Sequence, residues 1–250
     1  MILSQINLRT SVLLPPEIIA AMLIIFIGSY VQSSIGFGLA IISAPVLFFI
    51  DPLYVPAPIT ISALTLSIAN AVKHRHAVSF SELKFAIIGR VPGTVAGGLL
   101  LIWIDVQGLA LFLGISVIAA VLLSLSRLRF RATRVSMFSA GLLSGFMGTS
   151  SGIGGPPMAL VMQHEGSDFI RANLAAFFIV SSIMSLTMLT AIDRFGREEI
   201  LISLPLMPAA LAGYWLAMRT LHLVSHEKLR LFSLVLCLVA GSAAILSYWL

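Results

Sequence analysis

Gln32-Ser33-Ser34-Ile35-Gly36-Phe37-Gly38 and Gly148-Thr149-Ser150-Ser151-Gly152-Ile153-Gly154-Gly155-Pro156-Pro157 are the two stretches that decide how this chain folds. Each sets glycines and hydroxyl side chains between apolar runs, where an uninterrupted helix would otherwise continue. Irregular backbone survives at membrane depth only if it is buried in protein or lines a polar cavity. A matched pair of such breaks is one way in which membrane proteins build a solute site near the midplane. The two stretches therefore imply a transporter of a small solute, and their uncovered amide hydrogens favour an anion.

Composition agrees with a membrane setting. Only 10% of the 250 residues are charged and 59% are hydrophobic, with a mean hydropathy of +1.06. Soluble domains carry about 25% charged residues, so a water-soluble fold is excluded. Apolar stretches fall at 17–34, 36–50, 53–72, 83–104, 107–126, 135–149, 152–163, 170–192, 199–220 and 229–250. Helices are the expected state, because an open sheet would leave its edges unsatisfied in lipid. The stretches 36–50 and 152–163 are short for a span, the second reaching about 18 Å. Each is expected to be the returning arm of a broken or re-entrant hairpin. Little sequence remains for anything outside the bilayer, so residues 1–250 form one membrane domain.

The net charge of +5 does not point to nucleic acid. Arg127, Arg129, Arg131 and Arg134 share one short connection, and Lys73, Arg75 and Lys84 flank another with His74 and His76. Basic residues in short loops between apolar runs mark the cytoplasmic side. The lone Cys237 excludes an intrachain disulfide or a cysteine metal cluster. Met1 to Leu14 lacks a basic n-region and an A-x-A site, so no removable signal peptide is expected.

A shift of 116 positions places Ser34 on Ser150, Gly36 on Gly152, Gly38 on Gly154, Pro92 on Pro208 and Gly97 on Gly213. Overall identity at that shift is no better than chance, but the helix-breaking residues coincide in two separate segments. The expected organisation is an all-α integral membrane protein of two pseudo-symmetric repeats, 15–126 and 135–250, joined by a basic linker at 127–134. If each repeat is a short hairpin plus three transmembrane helices, the halves are inverted. If the first two segments of each make one crossing, there are eight spans and parallel halves. The loop charges do not separate these. Inversion is favoured because hairpins entering from opposite faces bring both breaks together.

The candidate substrate-binding residues start with the breaks: Ser33, Ser34, Gly36, Phe37, Gly38, Thr149, Ser150, Ser151, Gly152, Gly154 and Gly155. Close helix packing is the competing reading for their small side chains. Arg90 is the second candidate, a charge inside the 83–104 run just before Pro92. Such a guanidinium either grips an oxyanion or snorkels to the surface. Arg171 opens the 170–192 run and has Asp168 and Glu165 within pairing range. His222 and His226 stand four apart but lack acidic partners, so no metal is expected. No common catalytic or nucleotide-binding motif occurs, so neither an enzyme nor a cofactor is expected.

Ser33-Ser34-Ile35-Gly36-Phe37-Gly38, followed by Ala44-Pro45 and Asp51-Pro52, resembles the TauE/SafE family of sulfite and organosulfonate exporters. Gly152-Ile153-Gly154-Gly155-Pro156-Pro157 looks like that family's second signature, and the likeness spans nearly the whole chain. Its motif residues map to Gly36, Gly38, Gly152, Gly154 and Pro156, with Ile153 a departure from a fully glycine-rich second motif. The resemblance implies a multi-pass carrier in the bacterial inner membrane moving sulfite, sulfoacetate or related sulfonates. The implied partners are a small anionic solute and the lipid bilayer, with a homodimer left open and nucleic acid excluded. A passive anion channel, or a subunit of a membrane enzyme or receptor complex, is the alternative.

Overall fold

The computed structural model describes residues 15–36, 38–125, 131–163, 165–220 and 226–246. Among them the backbone is helical and no strand occurs. The helices are α1 (Pro16–Ile35), α2 (Leu39–Ile50), α3 (Ala57–His74), α4 (Phe80–Trp103), α5 (Val106–Leu125) and α6 (Arg134–Ser151). They continue as α7 (Gly155–Met162), α8 (Ser167–Ala191), α9 (Arg197–Ser203), α10 (Leu206–Thr220) and α11 (His226–Leu246). Six stretches among the described residues are long and apolar enough to cross a membrane: α1, Pro52–Ala77 around α3, α4, α5, the body of α8, and Arg197–Thr220. The protein is thus an all-helical, multi-pass membrane protein. Apolar side chains such as Leu23, Leu122 and Val239 project outward from these helices, as helices surrounded by lipid require.

The apolar stretch at 199–220 is not one helix. Pro205 has no N–H to offer the carbonyl of Leu201, which accepts from Leu204 instead, and the chain divides there into α9 and α10. The two short stretches become α2 and α7, each following a glycine break.

Side-chain contacts fix which way the helices run. Gly89, Gly93 and Gly97 of α4 lie against Phe138, Leu142 and Phe146 of α6, so these two helices are parallel. Arg134 at the start of α6 sits over the Phe85 ring near the start of α4, 5.5 Å from its centroid. Asn173 of α8 accepts from the Ser79 amide at 2.8 Å and donates to the Ala77 carbonyl at 3.0 Å, so α8 begins beside α4. By contrast, α3 and α10 end at this face and α1 runs toward it. Tyr214 donates to the Ala69 carbonyl and Lys73 to Met218, while Tyr30 bonds Thr220. Helices α4, α6 and α8 therefore leave the face toward which α1, α3 and α10 run. Lys73, Arg75, Lys84, Arg131, Arg134 and Arg219 lie at or near that face, which makes it the cytoplasmic one.

Two seams hold the bundle. A Cβ at Gly89, Gly93 or Gly141 would fall on the backbone carbonyl of Phe138, Leu142 or Ala86, so α4 and α6 touch backbone to backbone. At Gly213, a Cβ would fall on the Phe26 carbonyl, which places α10 equally close to α1. In lipid there is no hydrophobic drive between helices, and close packing of this kind supplies the attraction. Each seam joins a helix of residues 15–126 to one of residues 135–250.

Candidate functional site

The two glycine breaks end their helices in the same way. At Gly36 the backbone turns left-handed, with φ 94°, and the amide closes on the Gln32 carbonyl at 2.7 Å. At Gly152 φ is 79° and the amide closes on the Gly148 carbonyl at 3.1 Å. Residues with a Cβ resist this conformation, and a left-handed cap stops the helix. After each turn a new helix starts, α2 with Gly38 and α7 with Gly154 as the flanking residue. Gln32 fastens the first tip by accepting the Leu39 amide on Oε1 at 3.0 Å.

Both tips face one cavity. Gln32, Gly38, Ala40 and Ile41 line it from the first hairpin, and Gly148, Gly152, Ile153, Gly154 and Gly155 from the second. Thr60 of α3, Arg90 of α4 and Ser181, Ser182 and Ser185 of α8 complete its polar wall.

Arg90 dominates the electrostatics there. It lies ten residues past Phe80, about 15 Å along α4, and is 1% exposed. Its Nη1 donates to Ser144 Oγ at 2.9 Å, and its Nη2 to Ser185 Oγ at 2.9 Å and to the Ser181 carbonyl at 3.2 Å. The Phe177 ring lies 5.6 Å from the guanidinium carbon, within cation–π range. Among the described residues Nε has no partner, and neither has Thr94 Oγ1 one turn further along α4. No carboxylate of the described residues pairs with Arg90. A buried charge held only by neutral groups is stabilised when an opposite charge joins it. Ser144 carries the tie onward, donating to the Gly154 carbonyl at 2.6 Å, so the guanidinium is linked to the second tip through one hydroxyl.

The remaining sequence candidates fall in different places. Thr149 shares a 2.9 Å hydrogen bond with Ser185 and so belongs to the Arg90 network. Ser33, Ser34, Ser150 and Ser151 turn their hydroxyl hydrogens back to the carbonyls of Ser29, Tyr30, Phe146 and Met147, four residues earlier in their own helices. Their donors are therefore engaged locally. Ser33, Gly36 and Arg171 line a second cavity rather than the first. Arg171 forms no ion pair with Asp168 or Glu165, and its one hydrogen bond among the described residues is a long one, 3.5 Å to the Ser34 carbonyl. Phe37 lies outside the described residues, as does His222 of the histidine pair. Among the described residues no cluster of metal-ligating side chains occurs.

Gln32, Thr60, Gly148, Ser144 and the three α8 serines were not singled out by the sequence. One signal existed. Arg171, Phe178, Ser182 and Ser185 recur at spacings of seven, four and three, which is one face of a helix.

Neither a curated protein nor a solved structure matches the chain. The family model described as sulfite exporter TauE/SafE matches residues 21–244, a range that contains both glycine breaks, Arg90 and all of the cavity wall. The chain belongs to the TauE/SafE sulfite exporter family, a family of transporters and not of enzymes, and is a multi-pass inner-membrane protein.

Proposed function

We propose that this protein is a secondary carrier that moves small sulfur oxyanions, sulfite or sulfonates such as sulfoacetate, outward across the membrane. The anion binds in the cavity between the two hairpin tips, against Arg90. The observation that carries this reading is a guanidinium 1% exposed, without a carboxylate partner, with a spare Nε on the wall shared by both glycine breaks. A sulfite or sulfonate group presents three acceptor oxygens, which suits a planar donor fork backed by hydroxyls. Export also fits the energetics, because a membrane potential negative inside drives an anion outward by about 2.3 kcal/mol per charge per 100 mV.

Alternating access follows from an inverted relation of the two halves, which the opposite directions of α1 and α6, of α3 and α8, and of α4 and α10 support. In that arrangement the tips meet near the midplane from opposite sides, and rocking of one block against the other exposes the cavity to each face in turn.

The test is transport by the purified chain in liposomes. Sulfite or sulfoacetate flux should saturate with concentration and show counter-flow, and Arg90→Ala should remove it while the melting curve in detergent stays cooperative. Flux that rises linearly without counter-flow would mean a channel, and no flux under any gradient would mean a subunit of something larger.

A further inference from the structure

The second cavity is lined by Gln32, Ser67, Asn70, Arg171 and Phe178, among others. It shares Gln32 and Phe178 with the Arg90 cavity. Its position is cytoplasmic, since Arg171 precedes by two residues the Asn173 that is bonded to residues 77 and 79 at the basic face.

We propose that this chamber is a separate oxyanion site on the cytoplasmic side of the Arg90 cavity, and that Gln32 and Phe178 are the partition an anion passes between the two. The inference rests on the anion-carrier reading above and adds a staging post to it.

Three observations carry it. Among the described residues Arg171 has no carboxylate partner, and its one hydrogen bond is a 3.5 Å contact with a carbonyl. Ser67 is 1% exposed, lines the chamber and leaves its hydroxyl with no partner among the described residues. A buried polar group in that condition is destabilising unless a ligand or water meets it. Asn70 uses one amide hydrogen on the Leu66 carbonyl at 3.2 Å and keeps the other, since an amide carries two. A guanidinium, a hydroxyl and an amide lining one space suit an oxyanion.

The partition has matching chemistry. Gln32 Oε1 is occupied by the Leu39 amide, so the side of Gln32 available to a passing solute is its donor. Phe178 stands on α8 seven residues past Arg171 and seven before Ser185, about 10 Å from each along the helix. The anion therefore meets positive or donor groups before and after one apolar ring.

Equilibrium dialysis of radiolabelled sulfoacetate with the purified full-length protein tests this. The wild type should bind two equivalents. Arg171→Gln should keep the tighter equivalent and lose the other, and Arg90→Gln should do the reverse. Ser67→Ala should weaken the Arg171 equivalent roughly 5- to 10-fold while the unliganded protein melts no lower, because that hydroxyl has no protein partner to lose. Phe178→Trp should slow liposome flux several-fold more than it weakens either equivalent. A single equivalent that survives Arg171→Gln and disappears in Arg90→Gln overturns the second site and leaves the carrier reading standing. A single equivalent with the opposite pattern overturns both. Two equivalents with flux unchanged in Phe178→Trp overturns the partition.

Discussion

The hairpin α1–α2 and the hairpin α6–α7 share a left-handed helix cap and differ in their chemistry. At a shift of 116, Gly36 and Gly152 adopt left-handed caps, and Gly38 and Gly154 flank the following helix in register. The same shift places Leu206, fully buried, where the first half has Arg90, and Gly28 where the second half has Ser144. It also places Gly148 opposite Gln32. A pair of like sites would follow if both halves carried the same groups. With one arginine set among neutral partners, the two tips instead enclose a single charged position. The duplicated feature is the interruption of the helix, and the feature held once is the charge that an anion would seek.

That contrast can be broken most sharply at Arg90 and Leu206. Replacing Arg90 with Gln removes the charge and the donor fork that makes three hydrogen bonds, and liposome flux should fall by about 100-fold, equivalent to about 3 kcal/mol. Leu206→Met should leave flux within about twofold, since a volume-conserving apolar exchange is well tolerated. Equal loss in both variants would mean that the asymmetry is unrelated to transport.

The seams come next. Gly93→Ala would press a methyl into the Leu142 carbonyl and Gly213→Ala one into the Phe26 carbonyl. Each should lower stability in detergent by about 1–3 kcal/mol, the usual penalty of overpacking. An effect at only one of them, read from thermal melts, would show that the two seams are not equivalent in strength.

Gly36→Ala and Gly152→Ala should each lose about 1–2 kcal/mol by forcing a Cβ into left-handed backbone. Their neighbours differ, since a Cβ at Gly36 meets Leu174 at an ordinary 3.9 Å and one at Gly152 meets Ile59 at a tight 3.3 Å. Similar melting losses would support equal caps, and a difference would be assigned to Ile59.

The smallest effect compares two hydroxyls. Ser144→Ala gives up both the Arg90 bond and the Gly154 bond and should lower stability by about 1 kcal/mol. Ser43→Ala gives up one long bond, 3.4 Å to the Ile24 carbonyl, and should be near neutral in the same melts.

The parts of this arrangement that break a pattern could be read from the chain. Gly36, Gly38, Gly152 and Gly154 interrupt apolar runs, and α2 and α7 begin within three residues of the expected arms. Arg90 stood out because a charge in an apolar run is rare. The serines holding it did not, because Ser144, Ser181 and Ser185 look like the small residues that any pair of packed membrane helices uses. Nor did the pairing of α4 with α6 and of α1 with α10. Helices that are apolar all round carry no stripe to announce the partner. The Leu204–Pro205 division of the 199–220 stretch was missed for a simpler reason: Pro205 was read as part of a continuous run, although a proline there removes the amide that α9 needs to continue.

The glycine seams carry a consequence for how the polypeptide is put together. Residues 15–126 hold α1 and α4 but not α10 and α6, their partners in the glycine seams, which come from residues beyond the basic connection. Synthesised alone, each piece would expose a naked strip of glycine backbone to lipid tails. Two polypeptides cut at that connection should accordingly reassemble only when produced in the same membrane, and degrade when produced apart.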